Sequence, residues 1–279
     1  MLQITEAHAR KVLDAVDAGL VKGLGRPELG QMCVEAAVCY ALGLPHDDDP
    51  KCVAPALRSL KIRLNDSEWS SNQARGAGLR RLAVAQLGSA GFLDEKEFVR
   101  RLCDHAIRVS APNALRAAAS VQKNRLHKAA LLSAANKCEV EGTRKSAQEA
   151  RSAYASAAAY ASASGGASAD AVVCAAAAAA SASAASAHAS AAAHASAAVC
   201  AAAAAAYAST AAYASASGGA SADAFASAAY AAHTASYAYG AYAAAAGDLS
   251  LADYAEAVVQ ILIVMNAPGC QWLALTEAS

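Results

Sequence analysis

"AYASASGGASADA" occupies residues 159–171, and the same string stands again at 212–224, an offset of 53 residues. Both copies lie in a segment, residues 152–247, that consists almost entirely of alanine and serine. Alanine is the strongest helix former, yet its alternation with serine and tyrosine has the period of two that is typical of a strand. This segment therefore decides whether the chain is all-α or also contains a sheet.

Two structures compete for the Ala/Ser segment. In an extended chain, the alternation places alanines on one face and Tyr154, Ser156 and Tyr160 on the other, which looks similar to the Ala/Ser blocks of silk. In a helix, Tyr154 and Tyr160 point about 120° apart and form no stripe. Helix propensity nevertheless accumulates to tens of kcal/mol over about 90 residues. We therefore predict a helical segment, with silk-like or solenoid β structure as the alternative.

The glycine pairs divide this predicted helical segment. Gly165-Gly166 and Gly218-Gly219 resemble helix ends, and each is followed by a serine that is able to cap the next helix. Small side chains let helix axes approach closely, so such helices are stable mainly in a bundle of many contacts. The predicted helices are 143–164, 168–217 and 221–246.

Residues 1–151 have the pattern of an ordinary helical domain. Apolar residues recur at helical spacing, as Leu57, Leu60 and Leu64 do, and Thr5 and Asp94 stand where they can cap helices. No run before residue 153 alternates like a strand. The pattern predicts an all-α fold with its own aliphatic core.

The C-terminal residues look like part of that domain. Gly247–Ser250 reads as a helix stop and cap, and Leu251–Met265 follows as an amphipathic helix. Its apolar face cannot be buried on alanine and serine alone, so we expect it to pack on the N-terminal helices. The predicted organisation is a domain of residues 1–151 completed by 248–279, into which the low-complexity repeat 152–247 is inserted.

Two blocks of the chain resemble known proteins. GQMCVEAAVCYALGLPHDDDPKCVAPALRSLKIRLND (30–66) and AEAVVQILIVMNAPGCQWL (255–273) resemble an uncharacterised set of bacterial and phage proteins, whose similar ends flank an alanine-rich insert of variable length. The resemblance implies this end-plus-insert architecture and no assigned function. The insert is also similar to the alanine-rich helices of fish type I antifreeze proteins, which implies ice binding by a flat Ala/Ser face as an alternative function.

Charge is distributed unevenly although the net charge is zero. All 23 Lys and Arg residues lie at or before Arg151 together with 17 acidic residues, which leaves net +6 there and net −6 on the remainder. Such asymmetry favours docking between opposite surfaces. We expect no signal peptide, because charged residues interrupt any apolar run in MLQITEAHARKV, and no membrane span, because the apolar runs are too short. The eight scattered cysteines favour a reducing compartment, so we expect a cytoplasmic protein.

Several residues are candidate sites of chemistry. Cys33 opens a helix, where a lowered thiol pKa would suit the nucleophile of a thiol hydrolase, with His46 or His105 as its partner. His46–Asp49 and Cys52 together are a candidate metal site. Both features have simpler structural explanations in a buried thiol and in acids that precede a helix. We assign no catalytic, metal or cofactor-binding residue, and the modest basic clusters do not lead us to expect nucleic-acid binding.

Self-assembly is the function that the sequence favours. We expect a non-enzymatic structural protein that forms a homo-oligomer through close-packed alanine-rich helices, without a membrane partner. Large aromatic side chains would anchor the contacts. The predicted assembly residues are Tyr154, Tyr160, Tyr207, Tyr213, Phe225, Tyr230 and Tyr237.

Overall fold

The computed structural model describes residues 3–121, 124–163 and 244–277 of the chain. Within this part the protein is all-α: 69% of the residues are helical, in nine α-helices and without a strand or sheet, which confirms the predicted fold class. The α-helices are α1 (Glu6–Asp17), α2 (Val34–Ala41), α3 (Pro55–Asn65), α4 (Asn72–Ala85), α5 (Glu95–His105), α6 (Ala111–Val121), α7 (Arg125–Glu141), α8 (Arg144–Ala163) and α9 (Ala244–Val264). A π-helical segment, Ala106–Ser110, precedes α6, and a 3₁₀ helix, Pro268–Thr276, follows α9.

The chain divides into two compact units. The first comprises Met1–Leu102 with Leu251–Ser279, and the second comprises Cys103–Ser250. The change of composition between residues 151 and 152 lies inside α8, so this helix begins in ordinary sequence and continues into the Ala/Ser segment.

Side-chain caps set two of the predicted helix starts. The Thr5 hydroxyl accepts a hydrogen bond from the backbone N–H of His8 at 3.4 Å, and Thr5 N–H donates to His8 Nδ1 at 3.2 Å. The Asp94 carboxylate accepts from the N–H groups of Lys96 and Glu97 at 3.0 and 3.1 Å. These bonds satisfy N–H groups that have no partner within the helix. Both capping predictions are confirmed.

The sequence pattern predicts a helix over about 31–42, but α2 begins three residues later, at Val34. Met32 forms an isolated antiparallel bridge with Gly25, and its carbonyl accepts from Val21 N–H at 3.0 Å. These bonds hold the chain extended until Cys33, and the helix begins at Val34. The tertiary pairing of the preceding loop therefore overrides the local helix pattern.

The predicted helix stop at Gly247–Ser250 is wrong. Helix α9 begins at Ala244 and continues through Gly247 to Val264. A glycine inside a helix costs about 1 kcal/mol relative to alanine. The alanines that precede Gly247 are strong helix formers, and their helix propensity offsets the cost of the glycine.

The core of the first unit forms around α4, which contacts α1, α2 and the 3₁₀ helix. Leu79 and Leu82 of α4 and Val12 and Val16 of α1 are completely buried there. The C-terminal residues also belong to this core. The buried apolar residues of α9 are Leu251, Tyr254, Ala255, Val258, Val259 and Leu262.

A glycine lets the C-terminal 3₁₀ helix lie directly on the backbone of α4. A Cβ atom at Gly269 would stand 2.4 Å from the carbonyl oxygen of Val84 and 2.6 Å from that of Ala85. An ion pair fixes the neighbouring helix, because Arg81 Nε of α4 lies 2.9 Å from Glu256 Oε2 of α9. The C-terminal residues are therefore tied to α4 by both packing and charge.

In the second unit, α7 packs against both α6 and α8. Its buried residues are Leu131, Ala134, Ala135 and Cys138. Leu115 and Ala119 of α6 are buried as well, at no more than 1% exposure. This core is built largely from small side chains, which permits short distances between helix axes.

Candidate functional site

The structure describes only a small part of the predicted assembly residues. Tyr154 and Tyr160 lie on α8, although their side chains are outside what the structure describes. Tyr207, Tyr213, Phe225, Tyr230 and Tyr237 lie outside the described residues. The described ends of the insertion are residues 152–163 and 244–247, and both are helical.

Helix α8 buries an alanine face. Ala147 and Ala150 are completely buried and Ala157 is 3% exposed, whereas Ser152 and Ser156 between them are exposed. The buried positions are separated by three and seven residues, which is the spacing of one helix face. Since Ala157 belongs to the Ala/Ser segment, this segment is able to bury alanine by helix packing.

The turn between α7 and α8 is held by reciprocal side-chain bonds. Thr143 precedes α8, its N–H donates to Ser146 Oγ at 3.1 Å, and Ser146 N–H donates to Thr143 Oγ1 at 3.1 Å. An ion pair joins Lys137 of α7 to Glu149 of α8 across the helix pair. The start of α8 is thereby positioned against α7 before the Ala/Ser composition begins.

Arg108 closes the C-terminal end of α7. Its guanidinium donates to the carbonyl oxygens of Glu139, Val140 and Glu141 at 2.8–3.0 Å. The Arg108 Nε also donates to the Asp104 carboxylate at 2.9 Å, which fixes the orientation of the guanidinium plane. The last carbonyls of a helix have no partner within it, and a cation there also interacts favourably with the helix dipole.

A buried ion pair lies in the first unit. Glu35 of α2 and Lys61 of α3 are both 0% exposed, and Lys61 Nζ lies 3.1 Å from Glu35 Oε1. Glu35 Oε2 has no hydrogen-bond partner. Burial raises the pKa of the Glu35 carboxyl and lowers the pKa of Lys61, while their mutual attraction opposes both shifts.

Sequence reasoning missed this pair, although a signal was present. Lys61 stands four residues after Leu57 and three before Leu64, so it shares the apolar face of its helix. Glu35 stands among Val34, Ala36, Ala37 and Val38, all of which are buried. A charged residue at such a position predicts either a buried partner or a face that is turned to solvent, and one helix alone cannot distinguish the two.

Cys33 is the buried thiol that its sequence context favours, and the lowered pKa that a nucleophile at this position needs is not found. Cys33 does cap α2, with its sulfur accepting from Ala36 N–H at 3.3 Å. Burial of the thiol, however, outweighs that bond and raises the pKa of Cys33. Burial also raises the pKa of Cys52 and brings the pKa of Cys39 to about 12. These thiols are protonated near neutral pH, which disfavours a nucleophilic role.

The residues of the candidate metal site, His46–Asp49, are engaged in other contacts. His46 Nε2 lies 3.3 Å from the Gly25 carbonyl oxygen, and the Asp48 carboxylate pairs with the Arg58 guanidinium. Asp49 pairs with Lys51. Across the part of the chain that the structure describes, no group of three or more His, Cys, Asp or Glu residues is arranged to hold a metal ion.

Two of the basic clusters in the sequence are the arginine pairs Arg80-Arg81 and Arg100-Arg101, and all four arginines form ion pairs. Arg80 Nε lies 2.7 Å from Asp17 Oδ1. Arg100 and Arg101 both pair with Glu97, and these contacts lower the pKa of Glu97 to about 2. Their charge is therefore partly neutralised within the first unit.

Among the described residues, no helix combines the length and the apolar character that crossing a bilayer demands. A scan against protein-family models, a search of curated proteins and a search of solved structures find no match to this chain.

Proposed function

We propose that this chain is a non-enzymatic helical interaction protein that self-assembles through its Ala/Ser-rich insertion, residues 152–247. Alanine-faced helices from several copies would pack closely there, and the tyrosines would supply the larger buried contacts. The observation that carries the proposal is the burial of Ala157 on α8. It supports a mode of packing in which the segment buries alanine while serines such as Ser156 remain exposed.

Three further features agree with this proposal. Each alanine contact buries little apolar area, so a stable assembly needs many such contacts, which a repeated segment supplies. The raised pKa values of the buried thiols disfavour the alternative of a thiol hydrolase at Cys33. Free cysteines at Cys33, Cys39 and Cys138 suit the reducing conditions of the cytoplasm, where we place the protein. The end-plus-insert architecture implied by the resemblance is part of the same proposal.

Sedimentation velocity of the full chain over a concentration series tests this function. We expect the wild-type protein to form oligomers in the micromolar range. Ser156→Lys combined with Ser190→Lys and Ser209→Lys should dissociate them at low salt, because the introduced charges repel one another at close range. Added salt should restore part of the association, since it screens charges that are exposed to solvent.

A matched variant controls for the added charge. Ala7→Lys, Ser59→Lys and Ala77→Lys place three lysines on exposed positions of the first unit. This protein should keep the wild-type sedimentation behaviour. A wild-type chain that stays monomeric at high micromolar concentration, or an insertion variant that associates as strongly as the control, would overturn the proposed function.

A further inference from the structure

A groove between α7 and α8 is lined by small side chains. The two helices are joined at Thr143 and run antiparallel, and Lys137 of α7 pairs with Glu149 of α8, six residues on either side of this turn. Positions at equal distances from Thr143 therefore lie side by side. Ser133, which is exposed, lies beside Ala153, which is half-buried, because each is ten residues from the turn.

One side of this helix pair carries the groove. At about 100° per residue, Ser133 and Lys137 each lie within about 20° of Leu126 around α7. On α8, Glu149 and Ser156 lie about 20° apart, so the ion pair and the small residues share one side. Leu126 is 81% exposed and stands where α7 begins. We define the α7–α8 groove as the surface that the Lys137–Glu149 pair closes and that consists of Leu126, Ala130 and Ser133 of α7 and Ala153 and Ser156 of α8.

The chain leaves α8 at the open end of this groove. Leu126 lies level with position 160 of α8, and α8 ends at Ala163. Gly165-Gly166 and the capping residue Ser168 follow within five residues. Five residues reach at most about 17 Å, and packed helix axes are about 8–10 Å apart. A helix that starts at Ser168 therefore begins within reach of Leu126.

We propose that residues 168–180, the first part of the insertion, dock in the α7–α8 groove of their own chain as a helix parallel to α7. Such a helix is about 20 Å long, and the groove measures about 17 Å along α7 from Leu126 to Lys137. Connectivity selects this occupant, since the stretch follows α8 directly and its short connection keeps it at the open end. The docked helix covers the exposed leucine without a second molecule.

The residues of this stretch match the groove in size. Val173, Ala177 and Ala180 share one helix face. Val173 comes level with the beginning of α7 and covers Leu126, while the two alanines lie on the small residues around Ser133. Small side chains on both surfaces let the helix axes come close.

The single acid of this stretch also fits the proposed register. Asp170 is the only Asp, Glu, Lys or Arg between positions 152 and 222. It lies about 60° from Val173 around the docked helix, and Arg125 lies about 100° from Leu126 around α7. For parallel helices these two rotations point to the same flank, the one away from α8. Arg125 is exposed and has no ion-pair partner among the described residues, so its guanidinium is available to Asp170.

The second copy of the repeat suits the groove less well. It carries Asp223 where the first copy has Asp170, but it has Tyr230 where the first copy has Ala177. A tyrosine ring at that position would meet the small residues of the groove and hold the helix axes apart. This copy therefore supplies matched controls.

Disulfide trapping in the full-length chain tests this docking. Ser133→Cys with Ala177→Cys places two thiols where the docked helix faces α7, and Cys174→Ser removes the neighbouring native thiol. Under mild oxidation this pair should link at least about tenfold faster than Leu132→Cys with Ala177→Cys, because position 132 lies about 100° from position 133 around α7. Ser133→Cys with Tyr230→Cys should link no faster than that control.

Mass and gel mobility locate the link. Trypsin cuts after Lys128 and Lys137 and nowhere beyond Arg151, so the trapped pair joins residues 129–137 to residues 152–279. A link within one chain keeps the mobility of the monomer in a non-reducing gel, and its rate does not depend on protein concentration. A link to a second chain doubles the mass and would overturn docking within the chain.

Charge reversal tests the register. Asp170→Lys should slow the link about two- to fivefold at low salt, since its contact with Arg125 becomes repulsive. Arg125→Glu should do the same, and the two changes together should return the rate to within about twofold of the unchanged pair. Asp223→Lys, the same change in the second copy of the repeat, should leave the rate unchanged.

These outcomes separate this inference from the proposed function, which sedimentation measures independently. A chain that traps the link at the monomer position but does not sediment as an oligomer supports the docking and overturns the assembly. A chain that assembles, yet links no faster than the Leu132→Cys control or is not rescued by the double charge reversal, overturns the docking and leaves the assembly intact.

Discussion

The buried ion pair of Glu35 and Lys61 contributes little to the stability of the fold. Moving each charge out of water costs several kcal/mol, and the pair has a single 3.1 Å contact, with Glu35 Oε2 lacking a hydrogen bond. The pair therefore adds little stability relative to apolar side chains of the same volume. Removing only one partner should destabilise the protein strongly, because the remaining charge is then buried without compensation.

A double-mutant cycle at this pair tests that argument. Glu35→Leu and Lys61→Met should each lower the free energy of unfolding by about 3–5 kcal/mol, because each leaves one buried group unpaired. The double variant should be far more stable than the sum of the two predicts and close to wild type. Urea unfolding followed by tryptophan fluorescence reports on the right unit, since Trp69 and Trp272 both lie in it.

An exposed ion pair provides the control for this cycle. Glu6 and Arg10 lie 2.7 Å apart on α1 with side chains that are more than half exposed. Glu6→Leu should change the free energy of unfolding by no more than about 1 kcal/mol, because water solvates the remaining charge. Additive single effects at Glu35 and Lys61 would contradict the interpretation of a coupled buried pair.

At the scale of elements, the end of α7 depends on one arginine and one glycine. Gly142 follows the helix with φ of 60°, in the left-handed region that favours glycine. A Cβ atom there would stand 2.2 Å from Arg108 Cζ. The same guanidinium binds the last three carbonyls of α7, so the glycine provides the space that this cap requires.

Gly142→Ala should therefore cost more than its backbone strain alone. The left-handed conformation costs an alanine about 1 kcal/mol, and displacement of Arg108 should add about 1 kcal/mol through lost hydrogen bonds. In a protein that already carries Arg108→Ala, Gly142→Ala should lower the stability only by the backbone strain, because no guanidinium is left to displace. Hydrogen exchange of the last amides of α7 and thermal unfolding by circular dichroism measure both effects.

Gly43→Ala measures the strain of the left-handed backbone conformation without any displaced side chain. Gly43 has φ of 67° and no atom within 4 Å of the position of an added Cβ. Its substitution should cost about 1 kcal/mol whether or not Arg108 is present. If Gly142→Ala costs the same in both backgrounds, Arg108 does not occupy the space in the way we describe.

At the scale of the whole molecule, the C-terminal residues complete the first unit. Val258, Val259 and Leu262 of α9 are completely buried, and the 3₁₀ helix lies on the backbone of α4 beside Gly269. These contacts join residues that are far apart in sequence. Arg80, for example, donates to the carbonyl of Thr276, 196 residues away.

The insertion should consequently be removable and the tail should not. Replacing residues 152–247 with a short Gly/Ser linker should leave a folded protein with cooperative unfolding. Deleting residues 248–279 should expose the apolar surface that α9 covers and cause aggregation. Circular dichroism melting and light scattering measure the two outcomes. An unfolded linker variant beside a stable tail deletion would show that the insertion is an integral part of the core.

Much of the helical structure follows from sequence because its causes are local. Propensity, periodicity and caps act within a few residues, and the positions of Thr5 and Asp94 alone predict the caps that both side chains form. The same reasoning gives the wrong helix boundary where other contacts or neighbouring residues outweigh the local preference. The chain before Val34 is held extended by the bridge of Met32 with Gly25, and α9 passes through Gly247 among strong helix formers.

The sequence by itself determined that residues 3–121, 124–163 and 244–277 form an all-α structure, that Thr5 and Asp94 cap helices, and that charge is distributed asymmetrically. Only the tertiary structure decided that Glu35 meets Lys61, that burial outweighs the hydrogen bond at the helix start and raises the pKa of Cys33, and that Leu126 and Val140 face solvent along α7. The physical reason is that helix formation depends on neighbours along the chain, whereas burial and electrostatic environment depend on which helices pack together. Those contacts join residues separated by tens to hundreds of positions, and no local pattern specifies them.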